Sequence, residues 1–203
     1  MLKRTLDLCV ALGAVLLLLP VLAAVAAAVR FSSPGPVLYR ARRVGRHGHH
    51  FAMLKFRTMH QGVPDLRNAD GSTFNAVGDP RVTGVGEWLR KTSLDELPQL
   101  WNIVRGEMSL VGPRPDLPDQ LAFYAPEDHE RLKVRPGITG LAQVGGRNRL
   151  TWKQRRALDT DYVARRTMAL DLSILLRTLP AVLFGRDIHT VTHDEPHDRT
   201  RLG

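Results

Sequence analysis

The sequence predicts an α+β fold that is mainly helical, with an N-terminal re-entrant membrane helix, a small β-hairpin and amphipathic helices suited to a membrane interface. Three observations predict it. From Thr5 to Val29 the single charge is Asp7, and Pro20 interrupts the apolar run. Val37–Val44 and Phe51–Thr58 are strand-like stretches joined by Gly45-Arg46-His47-Gly48. From Val85 to Leu183, apolar and charged residues recur at helical spacing.

The 203 residues fit one ordinary folded unit with an anchor. Lysine and arginine number 29 against 20 acids, a formal charge of +9 that suits lipid headgroups, nucleic acid or a phosphorylated substrate. The six Phe, three Tyr and three Trp are scattered and no nucleic-acid reading motif accompanies them, so no nucleic acid is expected as a partner. Cys9 is the one cysteine, which rules out an intrachain disulfide or a Cys-based zinc cluster and suits a reducing compartment.

As a straight helix rising about 1.5 Å per residue, Thr5–Val29 is long enough for the roughly 30 Å hydrocarbon core of a bilayer. A single spanning anchor and a secretory signal ending at Ala26-Ala27-Ala28 are the plainer readings. The flanking charges oppose a spanning helix. Lys3 and Arg4 precede the run, and Arg30, Arg40, Arg42, Arg43 and Arg46 follow it, so a spanning helix would place one basic group outside. Pro20 removes a backbone hydrogen bond and favours a kink, so residues 1–30 are expected to enter, bend and return.

Ser32-Ser33-Pro34-Gly35-Pro36 is a stiff linker that ends the helix. In the second strand of the hairpin, alternation puts Lys55 and Arg57 on one face, either to grip a phosphate or as a solvated surface. Residues 61–79 read as a loop. Helices are expected at Val85–Lys91, Leu97–Val104, Pro118–Val134, Trp152–Ala164 and Leu170–Leu183. The last carries Leu172, Leu175, Leu176, Leu179 and Leu183, and Arg155, Arg156, Arg165 and Arg166 lie nearby; membrane interface and the protein's own core are both open to these helices. Residues 188–203 read as a poorly ordered tail. His189 and His193 have the spacing of a metal pair, but Pro196 and β-branched neighbours deny them the helix that the pair needs.

Neither a Walker phosphate loop nor a Gly-x-Gly-x-x-Gly turn is present, so a phosphate site must be built otherwise. Attention falls on Leu89-Arg90-Lys91-Thr92-Ser93-Leu94-Asp95-Glu96-Leu97-Pro98-Gln99-Leu100. Ser93 and Glu96 have the spacing of a capping box; a cap at Asp95 would instead put Pro98 harmlessly in the first turn. On either register two carboxylates lie near free helix-start amides. Bare carboxylates repel phosphate, so the pair makes chemical sense with Mg²⁺, one acid holding the metal while its neighbour attacks phosphorus. Gly112-Pro113-Arg114-Pro115 fixes an arginine between prolines, where it can clamp phosphate oxygens, and Arg135-Pro136-Gly137-Ile138-Thr139-Gly140 and Gly145-Gly146-Arg147-Asn148 read as further loops.

Together these segments resemble, in order, the bacterial sugar transferase family, the monotopic polyprenyl-phosphate phosphoglycosyl transferases. The resemblance rests on Lys3-Arg4 with Asp7, Ser33-Pro34-Gly35-Pro36-Val37, Lys55-Phe56-Arg57-Thr58-Met59, Ser93 to Asn102, Val111-Gly112-Pro113-Arg114-Pro115 and Arg135 to Gln143. It runs from about residue 3 to about residue 183 and is to the short members made of the catalytic unit alone. It implies a re-entrant helix at 1–30, a cytoplasmic catalytic domain at 31–187 and a location at the bacterial cytoplasmic membrane. The family usually has serine before the helix-breaking proline, where this chain has Leu19.

By this resemblance Asp95 is the nucleophile toward a UDP-sugar, releasing UMP and forming an aspartyl phosphosugar, and Glu96 holds Mg²⁺. Polyprenyl (undecaprenyl) phosphate then takes the phosphosugar, as the first membrane step of a polysaccharide or glycan pathway. Lys55, Arg90 and Arg114, with Arg57 as a weaker candidate, would bind substrate phosphate. Leu158 to Val163 and Leu170-Asp171-Leu172 also resemble family patterns and are given a structural role. Membrane lipids are implied as partners, and a homodimer is compatible with the reading. Two competing readings are a membrane-anchored basic binding module without catalysis and a metal-dependent glycosyltransferase that releases the nucleoside diphosphate.

Overall fold

Pro20 divides the apolar run into two helices. In the computed structural model, which describes residues 2–68, 73–74, 76, 78–146, 150–183 and 197–198, α1 covers Leu2–Leu17 and α2 covers Leu19–Ser32. They are bent by 63°. Pro20 stands in the first turn of α2, where its own lack of an N–H is tolerated, but the carbonyl four residues back loses its usual donor. No single described helix is long and apolar enough to cross a membrane; the bent pair together has the length and composition.

The few polar residues of the pair fasten it to the rest of the chain. Buried Asp7 accepts hydrogen bonds from Ser109 Oγ at 2.8 Å and from the Leu110 N–H at 3.1 Å. Lys3 Nζ lies 2.7 Å from Asp171 Oδ2. Arg4 donates to the carbonyls of Ile103 and Val104 at 2.7 and 3.2 Å, at the C-terminal end of a helix, where a cation is favoured. Ala11 enters a core with Ala41, Met53, Leu100, Ile103 and Met108, while Val25 and Val29 pack with Phe56 and Leu89. Leu2, Leu6, Val10, Leu16, Leu17, Leu19 and Phe31 remain exposed. One side of the pair is thus bound to protein and the other is apolar and open.

Strands β1 (Leu38–Val44) and β2 (His50–Phe56) form the expected antiparallel hairpin, in register Leu38↔Phe56, Ala41↔Met53 and Val44↔His50. Short β3 (Leu66–Arg67) follows, then α3 (Gly84–Thr92) and α4 (Gln99–Val104). Two three-residue strands, β4 (Ser109–Val111), to which no element is assigned from sequence, and β5 (Gly137–Thr139), inside a segment that reads as a loop, pair in parallel. A side chain at Gly137 would meet Gly112 N at 2.1 Å, so this close approach of strands requires glycine.

Pro118–Val134 is not one helix. It is two 3₁₀ segments, Pro118–Phe123 and Pro126–Lys133, because Pro126 holds the preceding Ala125 extended, at φ −73° and ψ 160°. After α5 (Leu141–Gly145) come α6 (Trp152–Arg165) and α7 (Met168–Leu183). The last two differ in their surfaces. Helix α6 turns Trp152, Asp159 and Tyr162 inward; α7 buries Ile174 against Val111 and Leu141 and exposes Leu172, Leu176 and Leu179. Of the two environments left open for these helices, α6 takes the protein's own core, while α7, the helix with the leucine stripe, has one face in the core and an apolar face exposed. Most of the tail, with His189 and His193, lies outside the described residues, while His197–Asp198 pair antiparallel with β3 as β6. The fold is mostly helical with small two-stranded sheets.

Asp7→Ala leaves a buried hydroxyl and a backbone N–H without their acceptor, so it is expected to cost about 2–4 kcal/mol, with Ser109→Ala costing less. Thermal unfolding of both variants in detergent micelles checks the order.

Candidate active site

Asp95 and Glu96 occupy a single 3₁₀ turn, Leu94–Glu96, between α3 and α4. The helix-start reading of this segment is corrected by the backbone. Ser93 ends α3 in the left-handed conformation at φ 58° and ψ 15°, its N–H bonded to the Arg90 carbonyl and its side chain capping nothing. Helix α4 starts only after Pro98, again without a side-chain cap, so neither the Ser93–Glu96 capping box nor an Asp95 cap forms. Glu96 is drawn to two cations instead.

Those cations come from separate parts of the chain. Lys55, at the end of β2, places Nζ 2.7 Å from Glu96 Oε1. Arg114, on the loop after β4, places Nη2 3.0 Å from the same oxygen. Burial alone would raise the Glu96 pKa, but Lys55 and Arg114 overcome it and hold the carboxyl well below its usual range. The charge of Glu96 in turn raises Arg114 against its own desolvation. Next to this neutralised acid stands its opposite. Asp95 is buried, and among the described residues no side chain donates a hydrogen bond to its carboxylate. Burial pushes its pKa up to about 6; Lys55, Arg90 and Arg114 pull it down, and the charge of Glu96 adds to the rise.

Arg90 reaches the same neighbourhood from α3. Its Nε donates to Thr58 Oγ1 at 3.0 Å, burial lowers its pKa, and the charge of Asp95 opposes that change. The approach depends on Gly86, where a Cβ would stand 2.0 Å from the Thr58 carbonyl oxygen. Lys55, Arg90, Asp95, Glu96 and Arg114 are thus brought together.

Arg57 is not among them. Its guanidinium turns toward the end of α2 and donates to the carbonyls of Val29, Ser33 and Pro34, at 3.3 and 2.8 Å for the first two. The expected clamp is a helix-end cap: strand β2 has ended at Phe56, so strict alternation no longer relates Arg57 to Lys55.

A second buried cluster supports Arg114 and was not expected from sequence. Arg131 Nη2 donates to the Arg114 carbonyl at 2.9 Å and to Asp159 Oδ2 at 2.8 Å; its Nη1 reaches Asp116 Oδ2 at 2.5 Å and the Tyr124 hydroxyl at 2.8 Å. Desolvation works against the Arg131 charge, yet Asp116 and Asp159 raise its pKa overall. The available signal was Asp159 itself, an acid that shares the inward stripe of α6 with Trp152 and Tyr162.

Among the described residues no group of three or more His, Cys, Asp or Glu side chains forms a metal cage. Asp95 and Glu96 nevertheless offer hard oxygen donors, Glu96 firmly ionised, and two carboxylates completed by diphosphate oxygens are a set that Mg²⁺ takes. The arrangement can hold one ionised carboxylate in place, keep a second poorly solvated and reactive, and surround both with cations.

Comparison with known proteins gives one answer. Residues 1–185 match the family described as bacterial sugar transferase. The exopolysaccharide production protein ExoY of Rhizobium meliloti (strain 1021) is 45% identical over 197 residues, which cover 92% of this chain and 87% of that protein. The UDP-glucose:undecaprenyl-phosphate glucose-1-phosphate transferase of Caulobacter vibrioides is 44% identical over 89% of this chain and 69% of its own length. The undecaprenyl-phosphate galactose phosphotransferase of Salmonella typhimurium is 44% identical over 73% of this chain and 34% of its own length.

The raised Asp95 pKa has a consequence for stability. The folded state holds the Asp95 proton more tightly than the unfolded chain, whose carboxyl keeps its ordinary value of 3.8, so the stability associated with this group is present below about pH 4 and is lost as pH rises through about 6. Asp95→Asn is therefore expected to raise stability by up to about 3 kcal/mol at pH 8 and to change it little at pH 4, measured by thermal unfolding without divalent metal.

Proposed function

The chain belongs to the bacterial sugar transferase family, and on that premise we propose that it moves a sugar 1-phosphate from a UDP-sugar to undecaprenyl phosphate, with Asp95 as nucleophile. The observation that carries the reading is the contrast within one turn: buried Asp95, with a pKa pushed up to about 6, beside a Glu96 held ionised by Lys55 and Arg114. A carboxylate without hydrogen bonds is a better nucleophile than one already satisfied, and cations around it favour the approach of an anionic diphosphate.

In the first half-reaction an Asp95 oxygen attacks the sugar-linked phosphorus. A bond forms between that oxygen and phosphorus while the bond from phosphorus to the bridging oxygen breaks, and UMP leaves. In the second, a phosphate oxygen of the polyprenyl phosphate attacks the same phosphorus and frees the Asp95 carboxylate. Lys55, Arg90 and Arg114 neutralise charge on the phosphoryl oxygens. Glu96 would hold Mg²⁺, which when bound supplies further neutralisation of the diphosphate.

The bent pair α1–α2 supports a re-entrant insertion with both ends at the cytoplasmic face. Its outward side chains are apolar, its inward Asp7, Lys3 and Arg4 are paired with protein groups, and basic residues flank both ends. The exposed leucines of α7 offer a further apolar surface. The acceptor's isoprenoid would then stay in the bilayer while its phosphate meets Asp95.

Purified protein in detergent with Mg²⁺, undecaprenyl phosphate and a panel of UDP-sugars is expected to release UMP with at least one donor. Asp95→Asn is expected to reduce release at least 10³-fold, order of magnitude, as removal of a covalent nucleophile does. Release of UDP in place of UMP would contradict the phosphosugar route.

A further inference from the structure

The reaction uses Lys55, Arg90 and Arg114, but the same region holds a cation that no step above employs. Arg43 lies on β1 two residues beyond Ala41, on the hairpin face shared by Ala41, Met53 and Lys55, since the register pairs Tyr39 with Lys55 and Ala41 with Met53. The end of β1 is tied to the Arg114 loop: the Val44 N–H donates to the Asp116 carbonyl at 2.9 Å. Arg43 therefore sits beside the loop that carries Arg114 to Glu96.

Its environment is unusual for a half-buried charge. Among the described residues the Arg43 side chain makes no hydrogen bond and no ion pair, and its Nε is buried without a partner. Asp116 lies close enough to attract it, but the Asp116 carboxylate is already engaged by Tyr124 Oη at 2.8 Å and Arg131 Nη1 at 2.5 Å. Arg114 repels it, and desolvation lowers its pKa to about 10, a value at which it is still fully charged at neutral pH. Three other hairpin cations have partners, Arg42 bonded to His50, Arg46 to the Lys133 carbonyl and Lys55 to Glu96, while Arg40 is exposed to solvent. A half-buried guanidinium whose Nε is shut away from water and unpaired, beside another arginine, is costly unless an anion completes it.

We propose that Arg43 completes the donor site by binding the phosphate that leaves with uridine, so that Arg114 and Arg43 take the two phosphates of the diphosphate in turn. This inference rests on the proposed reaction. The planar fork of Arg43 holds the phosphate next to uridine, the leaving group gains charge as the bridging bond breaks, and a desolvated cation there stabilises that charge. Arg43 is a substrate-binding residue and exchanges no proton.

The test measures binding of UMP and of uridine to the full-length protein in detergent by titration calorimetry, for wild type, Arg43→Gln and Arg43→Lys. Wild type is expected to prefer UMP over uridine, Arg43→Gln to lose that preference by at least tenfold with uridine affinity unchanged, and Arg43→Lys, which keeps the charge and guards against simple misfolding, to fall between them. In turnover, Arg43→Gln raises KM for the UDP-sugar more than it raises KM for undecaprenyl phosphate. An unchanged UMP preference in Arg43→Gln overturns the assignment. A rise confined to KM for undecaprenyl phosphate also overturns it, by giving Arg43 to the acceptor. Release of UDP by the wild type would instead refute the reaction while leaving the UMP-against-uridine comparison readable.

Discussion

Two carboxylates on consecutive residues of a buried turn cannot both be ionised and unpaired, and most of the fold bears on how that conflict is resolved. Lys55 and Arg114 converge on one oxygen of Glu96, so Glu96 is the acid that stays charged. Asp95 is left with burial and no hydrogen-bond donor from the described side chains, and its pKa rises to about 6. The two cations lie on segments far apart in sequence. Holding them at one point requires the hairpin register, the close β4–β5 approach through Gly112 and Gly137, and the Arg131 cluster that grips the Arg114 carbonyl.

The same interactions connect the site to the apolar helix pair. Asp7 of α1 binds Ser109 and Leu110 of β4, the strand that leads directly into the Arg114 loop. Arg4 holds the end of α4, which Leu97 and Pro98 join to the Asp95–Glu96 turn. Arg57 holds the end of α2 from the residue after the strand that carries Lys55. The bent pair and the acidic turn are therefore positioned by the same short segments.

Much of this was legible in the sequence, and the failures have physical reasons. The break at Pro20, the hairpin and the later helices follow from proline chemistry and from apolar periods of two and of about 3.6 residues. Lys55, Asp95, Glu96 and Arg114 drew attention as reactive residue types in stiff or polar segments, the resemblance to the family assigned their roles and added Arg90, and the structure brings all five together. Arg57 misled because alternation was carried one residue past the end of the strand. Ser93 had the spacing of a cap, but its left-handed backbone and Pro98 end one helix and start another on either side of the acids. Strands β4 and β5, at three residues each, are too short to show a period. Arg131 finds its partners 15 and 28 residues away, a relation that local pattern does not contain.

The proposed reaction depends on a covalent bond from Asp95 to phosphorus. Intact-protein mass spectrometry after mixing the enzyme with its UDP-sugar in the absence of undecaprenyl phosphate tests it most directly. A mass increase of one phosphosugar is expected, located on the peptide containing Asp95 and lost when undecaprenyl phosphate is added. UMP release at the full rate only in the presence of acceptor, with no adduct on that peptide at any time, would contradict it and point to direct attack by the polyprenyl phosphate.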